Sequence, residues 1–147
     1  VMGHSPGSLQ AVASVGEHVR FNSSIDKHLI EIVICEVSVF MGNEYEWCHH
    51  IHKVPEKFRS QVGAENIETE PSPVGPALRF VRLILLGKPV PDGLIADLKG
   101  LFNENGLVEL TVMVGYYQLL GTFCATMGIQ VDGSVEIVPM PKSTLKR

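Results

Sequence analysis

Apolar residues recur at spacings of three and four along most of this chain, a period that predicts helices rather than strands. Ser5-Pro6 reads as an N-cap with proline at the first helical position, opening a short helix through Leu9, Val12, Val15 and Val19 that stops near Asn22-Ser23-Ser24. Asp26 caps the next helix, where Leu29, Ile30, Val33, Ile34, Val37 and Phe40 cover a broad face and Gly42 ends the run. Its β-branched residues suit a strand, but its length and Glu31 and Glu36 favour a buried helix. Asn43 caps a helix over residues 44–54, with Glu44 and Glu46 where the helix dipole favours acids, and Pro55 ends it.

Residues 61–76 are rich in Glu, Pro, Ser and Gly and read as a mobile linker. Beyond it the pattern predicts helices over 78–86, over 94–102 ending at Asn105-Gly106, and over 107–127 stopping at Gly128. Gly115 and Gly121 cost helix propensity in the last of these, so close helix-to-helix approach is expected at both. The division is thus one helical domain over 1–130 and a C-terminal arm over 131–147, with its Asp132-Gly133 turn, that can cover a neighbour.

With 147 residues, 45% hydrophobic, the chain can build one core with apolar surface to spare, which points to a homo-oligomer. A net charge of -4 offers no basic footprint, so nucleic acid is not an expected partner. Cys35, Cys48 and Cys124 are widely separated and form no CxxC, which favours free thiols in a reducing compartment. No signal peptide or membrane span is recognised, and a cytoplasmic protein is expected.

The segment Glu44-Tyr45-Glu46-Trp47-Cys48-His49-His50-Ile51-His52 holds the candidate chemistry. On a helix Glu46 and His50 share a face, so the carboxylate can orient the imidazole and raise its pKa for proton transfer. Glu31, a carboxylate inside an apolar run, needs a partner and can reach the same place from the preceding helix. Trp47 falls on another face and is expected in packing. The histidines and Cys48 match neither HExxH nor a Cys/His finger, so no metal is expected. Arg79 and Arg82 read as solvated surface cations, though either can take a carboxylate.

The blocks LIEIVI at 29–34, EYEW at 44–47 with His50, Glu109-Leu110, Val114-Gly115-Tyr116-Tyr117 and Met127-Gly128-Ile129 resemble the carboxymuconolactone decarboxylase family of the alkylhydroperoxidase D-like superfamily. The resemblance runs from His4 to Ile129 and implies an all-α, alkylhydroperoxidase D-like helical bundle that assembles as a dimer, trimer or hexamer. In the peroxidase branch a CxxC pair precedes the histidine; counting back from His50 puts those cysteines at Glu46 and Asn43, so both redox positions are lost. The relay glutamate of that branch corresponds to Glu31, and a relay histidine to Tyr45.

Taken together, these readings give a cofactor-independent lyase or isomerase acting on a small enolisable lactone, cyclic ketone or aromatic-derived acid. His50, Glu46 and Glu31 are the expected catalytic groups, and Tyr45, His49 and Tyr116 the expected substrate contacts, with Tyr45 a candidate oxyanion donor. A non-catalytic small-molecule-binding oligomer and a thiol peroxidase using Cys48 are the alternatives.

Overall fold

The computed structural model describes residues 1–65 and 73–145. Six α-helices follow one another: α1 (Pro6–Glu17), α2 (Lys27–Met41), α3 (Glu44–His50), α4 (Glu56–Arg59), α5 (Val74–Leu85) and α6 (Asp92–Met127), with no strand among the described residues. The α1 register continues as a π-helical turn over His18–Asn22, and α3 tightens into a 3-10 turn over Ile51–Lys53.

Helix α2 is the axis of the molecule because apolar residues cover most of its circumference from Leu29 to Val39, and a helix so apolar must be surrounded. Ile32, Val33, Ile34, Cys35 and Val37 are fully buried, and α3, α5 and α6 pack around them. Leu78, Leu98, Leu110 and Met113 close the core from α5 and α6. Each such side chain contributes about 1.5–3 kcal/mol on burial.

The caps act as the sequence suggests for the helices that matter most. Asp26 accepts from the His28 and Leu29 amides, and Asn43 accepts from the Glu46 amide. Gly42, at φ 67°, ends α2 in the left-handed conformation that glycine adopts without a Cβ penalty. Ser5 instead spends its hydroxyl on Ser8.

Several expectations are corrected. The two helices expected over 94–102 and 107–127 are present as the two halves of α6, but the break between them falls at Asn103, not at Asn105-Gly106. Asn103 takes φ 56°, and its carboxamide oxygen accepts from the Gly106 amide, recapping the second half. That element is long and apolar enough to cross a membrane by length and composition alone, but it is broken at Asn103 and packs one side on α2 and α5. Of the two glycines singled out, only Gly121 marks close approach, its missing Cβ standing 3.0 Å from Met41; a side chain at Gly115 would meet nothing.

The expected linker over 61–76 is packed at both flanks. Gln61 and Val62 are buried and α5 already begins at Val74; residues 66–72 lie outside the described part. Helix α5 also starts four residues earlier than the apolar pattern placed it. Residues 131–145 lie against their own chain: Val131, Val135, Val138 and Met140 pack on the core, and Thr144 Oγ1 donates to the Gly63 carbonyl.

Candidate functional site

Gly42-Asn43 leaves room for only a tight reversal, so α3 folds straight back along α2. The reversal sets residues near the end of α3 beside the first turns of α2. Here the two segments exchange their polar groups. His50 Nδ1 lies 2.5 Å from Glu31 Oε2, and His50 Nε2 lies 3.2 Å from Glu46 Oε2. One imidazole is therefore held between two carboxylates on different helices, with side-chain exposures of 5% for His50, 11% for Glu46 and 15% for Glu31. Glu31 is the most exposed of the three.

Burial works to lower the His50 pKa, but the hydrogen bonds to Glu31 and Glu46 and the charges of both outweigh it and hold the group above its ordinary 6.5. Glu31 moves the other way. Its burial opposes ionisation, yet the His50 bond and charge, helped by Lys53 and Arg20, hold the carboxyl below its ordinary 4.5. Each ring nitrogen faces a carboxylate oxygen, so the charged ring can donate at both. The tighter partner at Nδ1 is Glu31, which fixes the ring, and the looser one at Nε2 is Glu46, which leaves that nitrogen the more exchangeable.

The ring of Tyr117 stands edge-on to His50 with centroids 6.1 Å apart, and Tyr116 stands edge-on to Tyr117 at 5.2 Å. Tyr117 is 2% exposed. Burial, followed by the Glu46 charge, pushes its phenol well above the usual range, so it stays protonated.

The three expected substrate contacts do not converge on this group. Tyr45 and His49 sit on a different side of α3, ring beside ring at 4.3 Å, and both turn to Asp132 of the arm: the Tyr45 hydroxyl and His49 Nε2 are each 3.5 Å from Asp132 Oδ2. Adjacent positions on a helix cannot share a face, which is why residues 45 and 49 part company with 46 and 50. Tyr45 also lines a shallow cavity of about 240 Å³ with Glu44, Ile129 and Val131. Tyr116 is half-buried with its hydroxyl against Gly16, where a Cβ would collide with it. Tyr117 is the tyrosine beside His50.

Cys48 is likewise remote from the imidazole. It is 2% exposed, with its sulfur 3.8 Å from the Val138 carbonyl that Trp47 Nε1 also engages at 3.0 Å. Trp47 is thus a packing residue, as its helical position suggests. Among the described residues no group of three or more His, Cys, Asp or Glu is placed to hold a metal ion.

A second buried charge cluster was not foreseen. Arg82 is 7% exposed, not solvated: its Nε donates to Glu36 Oε1 at 2.6 Å and its Nη2 to the Gln61 carbonyl at 3.2 Å, while the Gly63 amide donates to Glu36 Oε2 at 2.7 Å. The signal available was Glu36 itself, an acid within the apolar run of α2 that needs a partner.

Compared with solved structures, the chain is similar to the crystal structure of a protein of unknown function from Agrobacterium tumefaciens, described as a suggested antioxidant defence protein AhpD. The TM-score is 0.77 at 15% identity, over 89% of this chain and 94% of that one. The fold is therefore the alkylhydroperoxidase D-like helical fold. No protein-family model and no curated protein matches the sequence.

Proposed function

We propose that the protein is an acid/base enzyme of carboxymuconolactone decarboxylase-like type, working without a cofactor on a small enolisable lactone, cyclic ketone or aromatic-derived acid. The observation that carries this reading is the buried imidazole held between Glu31 and Glu46. With His50 charged and its Nδ1 fixed by Glu31, the Glu46 carboxylate at Nε2 can receive a proton from a carbon acid, and the imidazolium can return one to the same or another atom. Loss of CO₂ from a β-keto type acid and a proton shift along a lactone ring share one intermediate, an enolate, and need the same group to reprotonate it. Glu46 and Asn43 occupy the places where the peroxidase branch carries its cysteines, and the remaining thiol of that segment, Cys48, lies under the arm. This chemistry disfavours thiol peroxidation and leaves proton transfer.

Assembly into a homo-oligomer fits the same reading. Leu9 and Val15 of α1 and Val108, Val112, Leu119 and Met127 of α6 are exposed apolar residues on outer helices, more than scattered surface positions require.

The test does not need the natural substrate. A panel of lactones, cyclic ketones and aromatic-derived keto acids is incubated with the protein in D₂O, and deuterium incorporation at the acidic carbon is followed by NMR. The expected result is enzyme-dependent incorporation that falls by roughly 10²–10⁴-fold in His50→Gln. Exchange equal in the two proteins, or none above buffer for the whole panel, contradicts the proposal.

A further inference from the structure

An enolate needs a hydrogen-bond donor at its oxygen as well as a base at its carbon. Tyr45, the donor suggested by the sequence, turns to Asp132 and is not available to the imidazole. The structure offers another. Tyr117 lies edge-on to His50, and its hydroxyl has no hydrogen bond among the described residues. Yet no buried side-chain oxygen or nitrogen sealed from solvent lacks a partner there. The Tyr117 hydroxyl therefore keeps a trace of solvent exposure although its ring is enclosed, an unspent donor on the ring that packs against the imidazole.

Resting on the acid/base reading above, we propose that the Tyr117 hydroxyl is the oxyanion donor of this site and that the group it takes is an enolate- or phenolate-type oxygen. In the step this serves, the C–H bond next to a carbonyl breaks and its proton passes to the His50–Glu46 pair. The bonding electrons shift onto the carbonyl oxygen, where the Tyr117 O–H donates. Two further observations agree. The phenol is held protonated by burial and by the nearby carboxylates, so it remains a donor through neutral pH. The charge of the exposed Arg20 acts on Tyr117, Tyr116 and Glu31 together, so a cation stands on the same side of the cluster.

The probe is 4-nitrophenol, whose absorption distinguishes the bound phenolate from the phenol. It is titrated into the wild type, Tyr117→Phe, Tyr116→Phe and His50→Gln. Saturable binding of the phenolate to the wild type is expected, weakened by about tenfold to a hundredfold in Tyr117→Phe, as for loss of a hydrogen bond to a charged oxygen. Tyr116→Phe should stay within about threefold of the wild type on the same scale, because its hydroxyl faces Gly16. The melting temperature of Tyr117→Phe should equal that of the wild type, since the hydroxyl bonds no protein group. Equal affinity in Tyr117→Phe, no saturable binding to the wild type, or a destabilised Tyr117→Phe overturns the proposal. His50→Gln separates the two levels. Tyr117-dependent binding in a protein without deuterium exchange sinks the acid/base reading alone, and exchange without Tyr117-dependent binding sinks the donor alone.

Discussion

Two carboxylates of α2, five residues apart, meet a cation across the core, and the two meetings have opposite character. Glu36 faces Arg82, a group that never gives up its proton, and the surplus hydrogen-bonding capacity of the pair is used by the Gly63 amide and the Gln61 carbonyl. Glu31 faces His50, which can give up its proton, and the second nitrogen of that ring meets another carboxylate instead of a fixed backbone group. The first cluster is saturated and belongs to the fold. It ties the turn over 61–63 to α2 and α5 and so holds both flanks of the segment read as a linker. The second keeps a titratable proton between two acceptors, which is the minimum needed to move one. A buried charge alone does not mark a site; a buried charge that can change is the better candidate.

The largest effect should come from breaking the saturated pair. Arg82→Leu leaves Glu36 uncompensated at 1% side-chain exposure and should cost about 3–5 kcal/mol in urea unfolding. The double replacement Glu36→Leu/Arg82→Leu should recover much of that loss. A double variant as unstable as the single one would mean that the backbone partners, and not the ion pair, carry the cluster.

Next in size is the pH dependence of stability contributed by the other cluster. His50 is raised above 6.5, so its share is fully present below that pH and is lost as pH rises through the folded value. Glu31 is lowered below 4.5, so its share is present above that pH and is lost as pH falls through the folded value. Both contribute in full between about 4.5 and 6.5. The difference in unfolding free energy between the wild type and His50→Gln should be widest in that window; a difference that grows continuously above it has the wrong sign for this cluster.

The smallest effect is expected at the arm. Asp132 is 60% exposed at the side chain where it meets His49 and Tyr45, so Asp132→Ala should change stability by less than about 1 kcal/mol. Deuterium exchange by the His50 site should be unaffected. A large loss of exchange would place the Tyr45–His49 cluster in the chemistry after all.

The helical architecture and the meeting of Glu46 with His50 were legible because both follow from local spacing. So was Glu31, since a tight turn after Gly42 leaves α3 nowhere else to go. The partner of Arg82 was not legible: it lies 46 residues away in the chain, and no periodicity reports which face of α5 meets which face of α2. Tyr116 and Tyr117 are adjacent on α6, and the sequence could not say which ring turns inward, because that depends on where the missing side chain of Gly16 lets Tyr116 settle. The break at Asn103 escaped for a related reason: asparagine tolerates the left-handed conformation, but nothing in the residues alone distinguishes it from Asn105 two positions on.

The central claim is that His50 carries a proton because two carboxylates compete for it, and NMR titration of its ring nitrogens tests that directly. The imidazole should titrate above 6.5 in the wild type, and its pKa should fall in Glu31→Gln. A ring that titrates at or below 6.5, or one whose titration is unmoved by Glu31→Gln, would contradict the account.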